Sequence, residues 1–242
     1  MNQVPVNNIA YHGVLFDLDG TLIDTADDFI LCLNDLRHNS GLKPLPPSEI
    51  RKVVSDGARA MIKLGFDIAE SHPHFEKKKQ QFLDLYLNNI ARKSQLFDSL
   101  NETLTWCEKQ NIPWGIVTNK PRLYSDALLK ALNLDKRIST LVCPDDVNKP
   151  KPDPEPLFKA CNDIQLLPEQ CLYVGDHARD IEAGKNANMP TIAAAYGYVH
   201  NANEAQNWQA TWCIESPQQL SSLLKTLLYP QSGKHSPKAA KR

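Results

Sequence analysis

Apolar and polar positions fall in blocks along the chain. Gly13-Val-Leu-Phe16 is a short apolar run that stops at Asp17. Similar runs recur at 114–118, 140–143, 171–175 and 191–194, with a weaker one at 211–214. Short apolar runs ending at charge are the signature of strands buried on both faces of a parallel sheet. Between them the period becomes helical. Residues 121–132 set Leu128, Leu129 and Leu132 on one face, and 154–164 group Leu157, Phe158 and Cys161 behind prolines, where a helix has no hydrogen bond to lose. The alternation predicts an α/β fold with a doubly wound, Rossmann-like parallel sheet, whose ligands gather beyond the carboxyl ends of the strands.

One stretch breaks the alternation. Residues 25–93 contain no strand pattern. Thr25-x-x-Asp28 reads as a capping box opening a helix through Phe29, Leu33 and Leu36; Pro46-Pro47-Ser48 starts a second, 56–64 a third, and Phe75, Phe82, Tyr86 and Ile90 share one face of a long fourth. The expected organisation is a core of 1–22 and 95–228, an inserted helical cap of 23–94 beside the strand ends, where it would act as a lid, and a disordered basic tail of 229–242. That tail carries Lys234, Lys238, Lys241 and Arg242 without an acid and reads as a solvated, solubilising end rather than a phosphate- or membrane-seeking one.

Composition narrows the function. With 42% hydrophobic and 23% charged residues, the chain is neither disordered nor collagen-like. Its 242 residues suit a domain with an insertion. Lys+Arg 27 against Asp+Glu 28 calls for no nucleic acid. No apolar run approaches the roughly 18 residues of a membrane helix, and the N-terminus lacks the charged and apolar regions of a signal peptide, so no membrane partner is expected. Cys32, Cys107, Cys143, Cys161, Cys171 and Cys213 form no C-x-x-C pair; they read as free buried thiols in a reducing cytoplasm rather than a zinc site.

The candidate chemistry sits where the strands end. Asp17-Leu-Asp19-Gly20-Thr21 follows the first run. Its carboxylates at i and i+2 point the same way, and Gly20 permits an unusual turn. A plain polar turn is the alternative; a calcium loop fits poorly, since position six from Asp17 is Leu22. Thr118-Asn119-Lys120 ends the second run and could bind an anion. The loop Val147-Asn-Lys149-Pro-Lys151-Pro-Asp153-Pro154 holds its lysines on a stiff backbone, and its alternative is a solvated basic loop. Asp176 and Asp180, at i and i+4, share a face if a helix begins there; stabilising acids at a helix start are the alternative. Together these set Asp, Thr, Lys and Asp at successive strand ends. Hard carboxylate oxygens suit Mg²⁺, and a carboxylate can attack phosphorus.

In these four segments the chain resembles the haloacid dehalogenase superfamily of aspartate-nucleophile phosphatases, most specifically in Phe16-Asp-Leu-Asp-Gly-Thr-Leu22 and Gly175-Asp-x-x-x-Asp180. The insertion is similar to the helical cap of its phosphoglycolate phosphatase-like branch. The resemblance implies Asp17 as nucleophile and Mg²⁺ ligand. It implies Asp19 as general acid/base that lends its backbone carbonyl to the metal, and Thr118, Asn119 and Lys149 as phosphoryl-binding residues. Asp176 would be the third protein ligand, and Asp180 would support the site through water or Lys149. Lys149 is preferred to Lys151 on the family pattern K-P-x-P-D-P. An acid at Asp19 fits phosphoryl transfer and not dehalogenation. More narrowly, Asp24-Thr-Ala-Asp-Asp-Phe29, Ser55-Asp-Gly-Ala-Arg-Ala60, Cys143-Pro-Asp-Asp146 and 174–184 resemble the N-acetylmuramic acid 6-phosphate phosphatases of peptidoglycan recycling. On that resemblance Arg59 is the cap residue that would grip a substrate carboxylate, against a plain surface arginine. His177 would stand at the entrance. The expected function is Mg²⁺-dependent hydrolysis of a small phosphorylated metabolite, a phosphate monoester, through an aspartyl-phosphate intermediate, with N-acetylmuramic acid 6-phosphate as the substrate the resemblance implies. The alternatives are a 2-phosphoglycolate phosphatase, a sugar-phosphate mutase, a signalling receiver and a non-catalytic scaffold.

Overall fold

The computed structural model describes residues 11–199 and 203–228; the basic tail lies outside them. In chain order the elements are β1 (Gly13–Phe16), β2 (Ile23–Asp24), α1 (Ala26–His38), α2 (Pro47–Arg51), α3 (Gly57–Phe66), α4 (Phe75–Asn89), β3 (Gln95–Leu96), α5 (Leu100–Lys109), β4 (Trp114–Val117), α6 (Arg122–Ala131), β5 (Thr140–Val142), α7 (Glu155–Asp163), β6 (Cys171–Gly175), α8 (Ala178–Asn186), β7 (Thr191–Ala194), α9 (Glu204–Asn207), β8 (Trp212–Ile214) and α10 (Pro217–Leu227). The main sheet has the order β5-β4-β1-β6-β7-β8, with every pairing parallel. This is the doubly wound α/β architecture that the apolar blocks predict.

Alternation within those blocks builds the two faces. Val14 and Phe16 join Ile116, Leu172 and Val174 in a core closed by α5, α6 and α10. Leu15 turns the other way with Val117, Val142 and Tyr173, under α7 and α8. Both faces are covered, so no polar residue is tolerated inside β1 or β4.

The helices between β2 and β3 gather round a cluster of their own. It contains Cys32, Leu33 and Leu36 from α1, Ile50 from α2, Met61 and Ile62 from α3, and Phe75, Phe82 and Tyr86 from α4. The chain leaves and re-enters the sheet layer through a short antiparallel ribbon, Ile23 opposite Leu96 and Asp24 opposite Gln95. Two details differ from the sequence expectation. Thr25 and Asp28 form no capping box. The Thr25 side chain makes no cap hydrogen bond, and the buried Asp28 carboxylate accepts from Lys93 N, Ser94 N and Ser94 Oγ, tying the return segment to the first turn of α1. Ile90 is extended and lies past the end of α4. Five cysteines are buried and unpaired, but Cys213 is exposed, because β8 is an edge strand.

Candidate active site

β1 is central, flanked by β4 and β6, so the residues just beyond these three strands converge. Asp17 N donates to Val174 O (2.8 Å) and Thr118 N to Val142 O (3.0 Å), which carries the ladder one residue past each strand. The chain then turns at Gly20, with φ +81°. A Cβ there would lie 2.2 Å from Asp176 Oδ2, so this position needs glycine both for its dihedral and for the close approach.

Asp17, Asp176 and Asp180 form a buried cluster with carboxylate oxygens within 4.8 Å of one another. Asp176 Oδ1 accepts from Thr21 Oγ1 (3.0 Å), and Oδ2 accepts from Tyr198 N (2.9 Å) and Ser55 Oγ (3.1 Å). Burial, with the Asp17 and Asp180 charges beside it, pushes the Asp176 carboxyl up to about 7, against those hydrogen bonds. Burial also raises Asp180, opposed by its lysine partner.

That partner is Lys151 and not Lys149. Lys151 Nζ lies 2.9 Å from Asp17 Oδ1 and 2.7 Å from Asp180 Oδ1, and it donates to Val117 O (2.9 Å) and to Tyr173 Oη (2.8 Å). Burial disfavours its charge, but the carboxylates of Asp17 and Asp180 outweigh this and raise its pKa. Lys149 is 75% exposed and reaches only Asp153, at 3.8 Å. The cause is local. Asn119 clamps the Lys151 backbone, accepting from its N–H (3.1 Å) and donating to its carbonyl (2.9 Å), which turns that side chain inward. The Glu155 carboxylate at the start of α7 takes the N–H groups of Asn148 and Lys149 and holds that part of the loop at the surface. Asn119 is thus spent on the loop, while the buried Thr118 stands open to the cavity.

The Asp19 side chain is not part of the acidic cluster and lines the cavity described below. Its Oδ1 accepts from Thr25 Oγ1 (2.6 Å), and both oxygens accept from Lys120 Nζ (2.9 and 3.2 Å). The roles of Lys120, Thr21, Ser55 and Arg179 are not legible in the sequence. The Thr118-Asn119-Lys120 triplet contained one of them, but the chain shows nothing of which way that lysine points. His177 caps α8 through its ring Nδ1, and its Nε2 is 3.4 Å from Asp56 Oδ1.

A cavity of about 360 Å³ opens from Asp17, Asp19 and Thr118 to the helical layer. Phe29, Leu83, Tyr86 and Tyr124 give it an apolar wall; Arg59, Lys79 and Arg179 add cationic groups. Arg59 is half exposed and pairs with Glu70 (2.8 Å) and Glu76 (3.1 Å). Arg179 donates to Ser55 O, so the turn just before α3 is tied to the first turn of α8.

The donor set suits a hard divalent cation. Three buried carboxylates converge beside a single lysine, and the buried Asp17 Oδ1 takes no well-angled hydrogen bond despite its contact with Lys151. Among the described residues no helix is long and apolar enough to cross a membrane.

Comparison with known proteins agrees with this geometry. The family model for haloacid dehalogenase-like hydrolases matches residues 14–194. The N-acetylmuramic acid 6-phosphate phosphatase of Pseudomonas aeruginosa is 41% identical over 215 residues, covering 89% of this chain and 95% of that protein. The phosphoglycolate phosphatase of Xanthomonas campestris pv. campestris is 38% identical over 207 residues, covering 86% and 93%. The crystal structure of a predicted phosphoglycolate phosphatase from Haemophilus somnus 129pt superposes with a TM-score of 0.78 at 27% identity, over 89% of this chain and 97% of that one. The match begins in β1, ends with β7 and takes in every carboxylate of the cluster, and the two relatives named above, each covering more than four fifths of the chain, are phosphatases: this chain belongs to the haloacid dehalogenase-like hydrolases and is a phosphatase of that family.

Proposed function

We propose that this phosphatase hydrolyses a small phosphate monoester bearing a carboxylate, with N-acetylmuramic acid 6-phosphate as substrate, through an aspartyl-phosphate on Asp17. The observation that carries the reading is the buried Asp17 carboxylate against Lys151 at the floor of the cavity. Asp17 attacks phosphorus in line, and the bond to the ester oxygen breaks as that oxygen takes a proton from Asp19. Asp19 then accepts a proton from water, which attacks the phosphoryl group and frees Asp17. Thr118 and Lys151 bind the transferring oxygens, where charge neutralisation supplies most of the acceleration. Asp17, Asp176 and the Asp19 carbonyl would hold Mg²⁺, with Asp180 in support; when bound, the ion neutralises phosphoryl charge. Residues 23–94 serve as the cap that excludes water.

Three features favour the larger substrate over 2-phosphoglycolate. The cavity of about 360 Å³ is in the range for drug-sized ligands. Its aromatic wall suits the faces of a sugar ring. The relatives with the higher identity carry that name. Arg59 supplies the carboxylate contact by exchanging one of its glutamates for substrate. The unpaired buried thiols fit a reducing cytoplasm, where wall sugars are recycled.

The test is phosphate release with and without Mg²⁺ on N-acetylmuramic acid 6-phosphate, 2-phosphoglycolate and common hexose and pentose phosphates. The expected result is Mg²⁺-dependent turnover with the highest kcat/KM on the muramic acid ester and no need of a bisphosphate. Preference for a sugar phosphate without a carboxylate would overturn the substrate reading, and a bisphosphate requirement would point to a mutase.

A further inference from the structure

We propose that Lys120 is a positioning residue for Asp19, and that it acts only while α4 is seated on the sheet layer. The proposal rests on the acid/base reading of Asp19. Lys120 is a buried ammonium with its donors fully used. Nζ bonds Asp19 Oδ1 (2.9 Å), Asp19 Oδ2 (3.2 Å) and Tyr86 Oη (2.8 Å). Two aromatic faces enclose its other sides, the Phe29 ring at 4.7 Å from α1 and the Tyr86 ring at 4.6 Å from α4, and these rings stack on each other at 4.2 Å. The backbone beneath is fixed. Lys120 N donates to Thr118 Oγ1 (3.1 Å), which leaves the Thr118 hydroxyl hydrogen free for another acceptor, and Lys120 O accepts from Ser125 Oγ (3.2 Å).

The wiring crosses the boundary between the two layers. Lys120 and Asp19 stand on the sheet side; Tyr86 and Phe29 belong to the helical layer. Thr25, the other donor to Asp19, immediately precedes α1, and its N–H is held by Tyr198 Oη (2.6 Å). Every side chain that grips Asp19 therefore depends on the helices being in place. If α4 moves away, Lys120 loses one hydrogen-bond acceptor and one wall of its box, hydrates, and releases Asp19. Proton transfer to the ester oxygen then becomes competent when the cavity is shut, the state in which bulk water is excluded. A merely structural ion pair would stabilise the fold without selecting a chemical step.

The test uses the full chain with Mg²⁺ and reads first-turnover release of the leaving group. One substrate is an alkyl phosphate, whose alkoxide needs a proton; the other is p-nitrophenyl phosphate, whose phenolate leaves without one. Lys120→Met is expected to lower the alkyl rate about 100-fold, with little change in KM, and to leave the aryl rate within a few-fold. Tyr86→Phe removes a single oxygen from a stacked ring and should act in the same direction more weakly; it carries the test if Lys120→Met does not fold. Equal losses on both substrates, or no loss on either, would overturn the proposal. Asp19→Asn separates the two readings. A selective alkyl loss there, without one in the Lys120 and Tyr86 variants, ends only the positioning role. An unselective loss ends the acid/base reading itself.

Discussion

Lys151→Met is the sharpest perturbation, because Lys149→Met two residues away is its own control. Lys151 Nζ is in contact with four oxygens, two of them on buried carboxylates. Methionine keeps the apolar stem and removes the charge. Asp17, Asp176 and Asp180 then face one another without a cation. Breaking a buried pair from one side costs about 3–5 kcal/mol. For a chain of this size, that is a fall in Tm of about 6–20 °C. The Lys149 ion pair, at 3.8 Å and 75% exposed, is worth less than about 1 kcal/mol. Thermal and urea unfolding at neutral pH, with phosphate release alongside, should show Lys151→Met destabilised and inactive and Lys149→Met near the parent. Part of the lost stability should return with added Mg²⁺, the cation proposed for the folded cluster. Full activity in Lys151→Met, or loss confined to Lys149→Met, would refute the assignment of the site lysine.

Arg59→Ala should raise KM for N-acetylmuramic acid 6-phosphate about tenfold while leaving p-nitrophenyl phosphate within about twofold, since one charge-assisted contact is lost; equal shifts in steady-state assays would remove the carboxylate grip. Asp176 has a folded pKa raised to about 7 from an ordinary 3.8, so the folded state holds the extra proton between those values and its ionisation costs stability. Metal-free protein should therefore lose stability as pH rises from about 4 to 7, and Mg²⁺ should flatten that slope in chelator-controlled melts. Burial pushes Cys32 and Cys107 up to about 12 and Cys143 up to about 11, whereas Cys213 is exposed. A thiol-directed reagent should titrate one group in the native chain and all six on unfolding, read by absorbance and peptide mass.

The main sheet was legible because its strands are buried on both faces and so appear as unbroken apolar blocks; the central 13–16 run needed no other signal. The ribbon of Ile23–Asp24 and Gln95–Leu96 was not legible, because two residues carry no period. Thr25 and Asp28 have the spacing of a capping box, but both side chains go to tertiary partners, Asp19 and the 93–94 backbone, that a local rule cannot see. Lys149-Pro-Lys151-Pro reads in either of two registers. The tie is broken by Asn119 and Glu155, whose roles depend on contacts across the loop. Lys120 stayed hidden for the same reason: its partners lie on Asp19 and on α4, and only the fold brings them to one nitrogen.

In the proposed reaction the phosphoryl group passes through the Asp17 carboxylate. Acid-quenching the enzyme during turnover of N-acetylmuramic acid 6-phosphate and sequencing its peptides by mass spectrometry tests this most directly. A phosphoryl group is expected on the peptide holding Asp17, labile to hydroxylamine and absent from Asp17→Asn. Turnover without any such adduct, or an adduct on another residue, would contradict it.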